Sequence, residues 1–382
     1  MTHVDVVPQE SGSAQRIAAQ VTLPAGTEAD LFIEGNVDLV GHATPWVPAL
    51  LPIAMWAGAD LSVAGSVDPA VVTNSREAQA LLHRWYPSLS LVDVRSTDAL
   101  PEEPPADGVG CFFSGGVDSF FSVLRHREEV THLIFAHGFD IPIGNEDLAG
   151  RARAAAREAA ESLGKPLIEI RTNLRELSNG RSDWQTQYHG AAMAAVGHAI
   201  SGHVSKILVP GSYSEKDLHP WGTHPDLDLH WSGSRVRFEH DSVDVTRAEK
   251  VRGLADHQVA LDHLRVCFKN KGGAYNCGRC EKCLRTMINL STVDALQRSR
   301  TLPTTLDLKA VRRMRVSSEA AHFFINENIA MLESLPAETR DEDLLRALKV
   351  ARTVGYVRRP VRAAGRPVMR RVVRPLRRRL RS

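Results

Sequence analysis

Apolar and polar positions alternate with a period of two over residues 16–23 and 29–37, the pattern of half-buried strands. An apolar stretch over 45–56 is too long for such a strand and reads as a helix. A strand at 60–63, a helix over 75–85 and a strand at 89–94 would complete a small α/β accessory module within residues 1–98. The segment 100–108, Leu-Pro-Glu-Glu-Pro-Pro-Ala-Asp-Gly, suits neither helix nor sheet interior, so 99–108 is expected to link two domains. Beyond it, strands at 109–113, 132–137, 166–170 and 206–210 alternate with helices reaching to 127, over 151–164 and over 182–203. That alternation predicts an α/β fold: a parallel sheet with helices on both faces, right-handed crossovers and ligands at the carboxyl ends of the strands.

With 382 residues, 43% hydrophobic and 24% charged, the chain has the composition of a soluble protein of about two domains. No apolar run approaches the roughly 18 residues of a membrane span. The opening Met1-Thr2-His3-Val4-Asp5 has neither the basic nor the apolar region of a secretory signal, so a cytoplasmic location is expected. There clustered cysteines point to metal rather than disulfides. Eleven Arg and no Asp, Glu or Lys fall in residues 357–382, so removing them takes the formal net charge from +2 to −9. The body is acidic and the tail, 351–382, is basic. Val361, Val368, Val372, Leu376 and Leu380 intersperse these arginines, and Pro360, Pro367 and Pro375 prevent one continuous helix. Weak contact with a membrane surface or nucleic acid is one expectation for the tail. A disordered basic extension is the other.

The first strand of the α/β repeat runs into Ser114-Gly115-Gly116-Val117-Asp118-Ser119. Glycines let backbone approach phosphate, and a helix N-terminus offers free N–H groups and a favourable dipole. Ser114 and Ser119 can donate to phosphate oxygens, whereas Asp118 would repel them unless a divalent cation such as Mg²⁺ lies between. The string resembles the signature of the PP-loop ATP pyrophosphatase superfamily. That resemblance implies a Rossmann-like sheet of the adenine nucleotide α-hydrolase type and cleavage of ATP between its α and β phosphates. AMP would pass to a substrate oxygen and then be displaced by a nitrogen or sulfur nucleophile. It also implies nucleotide contacts from Ser114 to Ser119, adenine against the backbone at Ala136 and His137, and catalytic roles for Asp118 and Ser119.

Cys267, Cys277, Cys280 and Cys283 lie close enough in sequence to converge on one point, and four thiolates with no open position describe a structural Zn²⁺ site. Iron–sulfur ligation also uses such spacings, although the trailing Cys-Pro of the bacterial ferredoxin run is missing. Free structural thiols are the third reading. Cys111, inside a strand, reads as a small buried hydrophobe. Together the cradle and the cysteines resemble the 7-cyano-7-deazaguanine synthase family over residues 109–290, which converts a carboxylate to a nitrile with ATP and ammonia. The match omits the N-terminal module, the helices after 300 and the tail, so it does not carry the substrate across. Residues 244–251 resemble the helix start that precedes the cysteines in that family. Thr246 and Glu249 would form a capping box there, and Lys250 or Arg247 would neutralise charge on pyrophosphate or the acyl-adenylate, Lys250 being placed in the catalytic set.

The loop after the fourth strand, 210–225, is dense in His, Trp, Tyr and charge, as loops carrying function often are. Gly211 and Ser212 would border the nucleotide, and Asp217, His219, Trp221 and His224 would meet substrate or act as a base. Tyr188 and His189 join them as substrate contacts. The alternative for all of these is packing. The expected organisation is therefore an ATP-binding domain over 109–262 and a zinc and helical segment over 263–350. The expected activity is ATP-dependent adenylation of a small-molecule oxygen, followed by attack of nitrogen to give an amide or nitrile. An ammonia donor and self-association are the expected partners. A tRNA thiolating enzyme and a non-catalytic nucleotide-binding zinc protein are the alternatives, the first disfavoured by the acidic body.

Overall fold

The protein is described here from a computed structural model covering residues 3–354 apart from 11 and 317. Its strands are β1 (His3–Gln9), β2 (Arg16–Leu23), β3 (Thr27–Gly35), β4 (Asp60–Val67), β5 (Val94–Ala99), β6 (Val109–Phe112), β7 (His132–His137), β8 (Leu167–Thr172), β9 (Lys206–Pro210) and β10 (Arg237–Asp241). All ten belong to one sheet in the order β10-β9-β6-β7-β8-β3-β2-β1-β4-β5. Pairing is antiparallel only at β1–β2, β2–β3 and β3–β8 and parallel elsewhere. The fold is α/β with a mostly parallel sheet.

One compact unit runs to Lys250 and a second begins at Val251. The expected border at 99–108 therefore falls inside a single unit, and the N-terminal strands are part of the main sheet. The joint lies where Ile33, Glu34 and Gly35 of β3 pair with Thr172, Arg171 and Ile170 of β8. Thr172 Oγ1 donates to the Phe32 carbonyl (2.6 Å), and Asn173 accepts from Phe32 N–H (3.0 Å) while donating to the Asp30 carbonyl (2.8 Å). Two polar side chains thereby continue the ladder past the last strand pair. The proline-rich segment is a surface connection that carries the chain from edge strand β5 back to β6. Leu100 N–H bonds the Val67 carbonyl (2.8 Å), and Arg235 holds the Pro101 carbonyl (3.2 Å) and the Glu103 carboxylate (3.0 Å). Proline and acid signal a segment that cannot join a ladder, and such a segment need not divide domains.

Helices α1 (Trp46–Ala57), α2 (Pro69–Trp85), α3 (Val117–Arg125), α4 (Glu146–Leu163), α5 (Leu174–Ser178), α6 (His189–Ala199), α7 (Pro225–Asp228) and α8 (Arg247–Leu254) follow. In α1 every residue from Trp46 to Met55 is buried, which is why its sequence shows no polar face. Asp68 caps α2 by accepting from Ala70 N–H, and Asn145 caps α4 in the same way from Leu148. The continuous helix expected over 182–203 is instead a π-helical turn, Trp184–Tyr188, followed by α6. The Asp183 carboxylate accepts from the N–H groups of Gln185 and Thr186 and so fixes the start. The strand expected at 89–94 begins only at Val94. Both faces of the sheet are covered at β10: Asp241 meets Ser122 of α3, whereas Phe238, on the opposite face, meets α6 so closely that a Cβ on Gly197 would lie 2.5 Å from its ring.

The second unit contains α9 (Gln258–His263), α10 (Glu281–Ser291), α11 (Leu308–Arg312), α12 (Glu319–Glu333) and a helix over 342–354. Leu284 and Ile288 of α10, Val311 of α11, Ile325 and Ile329 of α12, and Leu345 and Leu348 form its apolar core. The basic tail at 357–382, with the lipid or nucleic-acid contact expected of it, lies outside the described residues. Among those described, no helix is long and apolar enough to cross a membrane.

Candidate functional site

The cradle lies between β6 and α3, at the carboxyl end of a central strand. Gly115 takes φ = 73°, the left-handed region that β-carbon crowding closes to most residues, and Gly116 is extended as the N-cap of α3. No side chain caps this helix. A helix start without a side-chain cap is suited to an anion. Ser114 Oγ accepts from Gly116 N–H (3.3 Å), and Ser119 Oγ donates to the Gly116 carbonyl (3.0 Å), so both hydroxyls brace the turn. Val117 is buried under it.

Asp118 stands in the first turn of α3, its side chain 19% exposed and paired with Arg247 at 3.0 Å. Ser212, just after β9, donates to the same carboxylate (3.1 Å). Arg247 and Lys250 occupy the first turn of α8, which opens with the expected capping box: Thr246 N–H to Glu249 Oε2 (2.7 Å) and Glu249 N–H to Thr246 Oγ1 (3.3 Å). Lys250 is 0% exposed and donates from Nζ to the Gly211 carbonyl at 2.7 Å. Desolvation depresses the pKa of its ammonium, and the Asp118 carboxylate works against that depression. Cradle, Asp118, Arg247, Lys250, Gly211 and Ser212 thus form one constellation of opposite charges and backbone dipoles.

Beneath it lies a network that the sequence did not disclose. Asp241, at the end of β10, accepts from Ser122 and Ser242 (both 2.5 Å) and bonds His126 Nε2 (2.8 Å), while Asp244 holds Arg125 through two bonds of 2.6 and 2.8 Å. Burial alone would raise the pKa of Asp241. The hydrogen bonds from Ser122, Ser242 and His126 outweigh that and hold it below the ordinary carboxylate value. A depressed carboxylate stabilises the fold above its unfolded pKa and loses that contribution as pH falls through the folded one. Ser122→Ala is therefore expected to lower stability at neutral pH and to flatten the acid limb of a urea-midpoint titration below pH 4. An unchanged acid limb would show that Ser122 does not set the Asp241 ionisation.

The other expected nucleotide and substrate residues divide. Ala136 is half-buried at the end of β7. His137 beside it is buried, with Nε2 at 3.3 Å from the Pro142 carbonyl and Nδ1 enclosed without a hydrogen-bond partner. Tyr188 is wholly buried and donates to the Ala49 carbonyl (2.7 Å), so it packs α1 and is closed to a ligand. His189 is held at both nitrogens, by the Trp184 carbonyl and Thr223 Oγ1 (3.2 Å each). His224 caps α7 by accepting from Asp226 N–H (3.1 Å) and packs edge-on against Trp85. Asp217 accepts from Ser214 within the loop. Only His219 and Trp221 present rings as a group, with Tyr213, at centroid separations of 4.5 to 5.9 Å.

In the second unit, the ligand atoms of Cys267, Cys277, Cys280 and Cys283 all lie within 4.8 Å of one another. Sulfur separations are 3.4 Å for Cys280–Cys283, 3.9 Å for Cys267–Cys280 and 4.0 Å for Cys277–Cys283. A tetrahedron with metal–sulfur bonds of ~2.3 Å has edges of ~3.8 Å, so the four thiols fit one ion such as zinc. Asn270 N–H and Cys280 N–H point at Cys267 Sγ (3.1 Å) and Cys277 Sγ (3.3 Å), which favours thiolate. Its hydrogen bond with Cys283 pulls the Cys280 thiol below its ordinary range.

Asn276 pins this loop. Its oxygen accepts from Val266 N–H (2.9 Å) and Cys267 N–H (3.0 Å), and its amide donates to the carbonyls of Leu264 (2.9 Å) and Thr301 (3.1 Å). Nothing in the cysteine spacing marks this residue, because it acts on backbone rather than metal. Asn276→Ala strands two N–H groups and is expected to cost about 1–3 kcal/mol. It should also speed metal loss to a chelator, which thermal denaturation with and without chelator would record. Cys111 is fully buried in β6. The chain matches no protein-family profile, no curated protein and no solved structure.

Proposed function

We propose that this chain is an AMP-forming enzyme of the PP-loop kind: it adenylates a carboxylate or related oxygen of a small molecule, releases pyrophosphate, and lets a nitrogen nucleophile displace AMP to give an amide or nitrile. The observation that carries the reading is the uncapped N-terminus of α3 behind the left-handed Gly115, at the carboxyl end of a central parallel strand. N–H groups at such a helix start can hold a triphosphate. Mg²⁺ beside Asp118 would neutralise phosphate charge. Arg247 and Lys250 are cations placed to stabilise pyrophosphate as it leaves. Adenine would lie along β7 near Ala136 and His137.

Zinc is the metal proposed for the tetrathiolate. Three sulfur separations of 3.4 to 4.0 Å, with all four ligand atoms within 4.8 Å of one another, suit ligands of a single ion. In a four-iron cluster each thiolate binds a different iron, and in a two-iron cluster the thiolates divide two and two, so either sets some of the sulfurs farther apart. With all four positions taken by thiolate the ion has a structural role, and the tRNA-thiolating reading loses its cluster.

Pyrophosphate release from MgATP should appear when the protein meets a pool of small carboxylic acids, and ammonium should accelerate AMP formation. Metal analysis should give one zinc per chain in a colourless protein. Undetectable MgATP binding by calorimetry, or a brown chromophore, would overturn the reading.

A further inference from the structure

A buried histidine and carboxylate face the same strand end from the side of the sheet opposite α3. His240 of β10 and Asp228, the last residue of α7, have side chains 4% and 2% exposed, with Nδ1 at 2.7 Å from the carboxylate. The other oxygen of Asp228 accepts from His224 N–H (3.3 Å), so the carboxylate is fixed from two directions. With Asp228 ionised, the proton on His240 is drawn to Nδ1, which leaves a lone pair on Nε2. That nitrogen has no hydrogen-bond partner among the described residues, yet it is not enclosed as the unpaired ring nitrogens of His42 are. It lies against Gly211, where an added Cβ would approach it to 2.6 Å. Gly211 is thus glycine because an imidazole occupies the space of a side chain. Its carbonyl takes the Lys250 ammonium, and the next residue, Ser212, bonds Asp118. The imidazole is one residue removed from the proposed phosphate site.

A hydrogen-bonded His–Asp pair with one nitrogen tethered and the other open is the arrangement of an oriented base. His240 differs from His189, which has both nitrogens engaged, and from His137, whose unpaired nitrogen is enclosed. Resting on the adenylating reading above, we propose that His240 Nε2 takes the proton from the nitrogen nucleophile in the second half-reaction, with Asp228 as its positioning residue. As nitrogen attacks the acyl-adenylate, a C–N bond forms. The C–O bond to AMP breaks with its electron pair leaving on the AMP phosphate oxygen, and one proton passes from nitrogen to Nε2. Ammonia, the acyl-adenylate and imidazole supply every atom of this balance, and no oxidant or reductant is required.

Two measurements on the full-length protein test this. Diethyl pyrocarbonate attacks unprotonated, accessible imidazole nitrogen, and peptide mass mapping reads each histidine separately. His240 should be carbethoxylated in the free protein and lose that modification when MgATP is bound. A His240 that reacts only after unfolding, or reacts at the same rate with MgATP bound, overturns the inference. Failure to bind MgATP overturns the adenylating reading and this inference with it. The second measurement uses His240→Asn, whose amide nitrogen can stand where Nδ1 stands and keep the bond to Asp228. Pyrophosphate–ATP exchange and ammonium-dependent amide formation are compared on whichever acid in the pool supports exchange. The ratio of exchange to amide formation should rise by about 10²-fold, the usual lower range for loss of a proton acceptor. A ratio within twofold of the unsubstituted protein would overturn the assignment. Asp228→Asn, which favours the opposite tautomer, should shift the ratio in the same direction, with unfolding midpoints confirming that both variants are folded.

Discussion

Cys283→Ala is expected to abolish the metal binding proposed for the tetrathiolate and to cost the second unit most of its order. Cys283 is fully buried in the first turn of α10, the helix that also supplies Leu284 and Ile288 to that unit's core. Metal ligation at such a site is folding free energy, on the order of 10 kcal/mol for a structural zinc, and removing one thiolate leaves three ligands and an open position. Besides the thiolates, the loop from Cys267 to Cys280 is held by the side-chain amides of Asn270 and Asn276, which bond backbone only. Its short helical turn at Lys271–Gly273 includes left-handed Gly272 and Gly273, and Asn270 is itself left-handed at φ = 40°. Metal analysis should fall from one zinc per chain to near zero. Proteolysis should cut within 267–280 at least tenfold faster, at a rate that excess chelator reproduces in the unsubstituted protein. Retained zinc with unchanged proteolysis would mean that the four sulfurs converge for another reason.

How much of this could be read from residues alone depends on how local each signal is. β2, β7 and β9 have the bounds that their apolar runs suggest, because one strand's alternation is written in consecutive positions. The Thr246–Glu249 box was legible for the same reason: both partners lie in one turn. The joining of β3 to β8 was not. It depends on Thr172 and Asn173 meeting backbone about 140 residues earlier in the chain, a pairing that no window covers. β1 is not legible in the sequence because Pro8 and the polar residues around it weaken the strand pattern of a segment held by β2 and β4. In the site, the glycines, serines and Asp118 of the cradle and the four cysteines could be found by spacing. Tyr188 looked like a polar handle at a helix start, yet its hydroxyl is spent on the Ala49 carbonyl. Nothing in the sequence joins Asp228 to His240, which lie twelve residues apart on different elements. Only the fold makes them a pair.

Lys250→Met should leave the protein close to its original stability and remove most of the adenylating activity proposed above. A fully buried ammonium with a depressed pKa is a costly group, and its partners, the Gly211 carbonyl and the nearby Asp118, return only part of that cost. Methionine fills nearly the same volume and carries no charge to desolvate. The loss is one hydrogen bond to a backbone carbonyl, so the net change is expected within about 2 kcal/mol in either direction. Turnover is another matter. Lys250 and Arg247 share the first turn of α8, and Arg247 already spends its charge on Asp118 at 3.0 Å. Among the described residues Lys250 bonds only a neutral carbonyl, so its positive charge is the one left to answer the pyrophosphate that the proposed reaction would form. Removing such a group from a water-poor site typically costs about 10²–10³ in rate. Pyrophosphate release at saturating MgATP should fall by that factor while the unfolding midpoint stays nearly fixed. The reverse outcome, a collapsed midpoint with the surviving folded fraction fully active, would make Lys250 a tether for the β9 loop and nothing more.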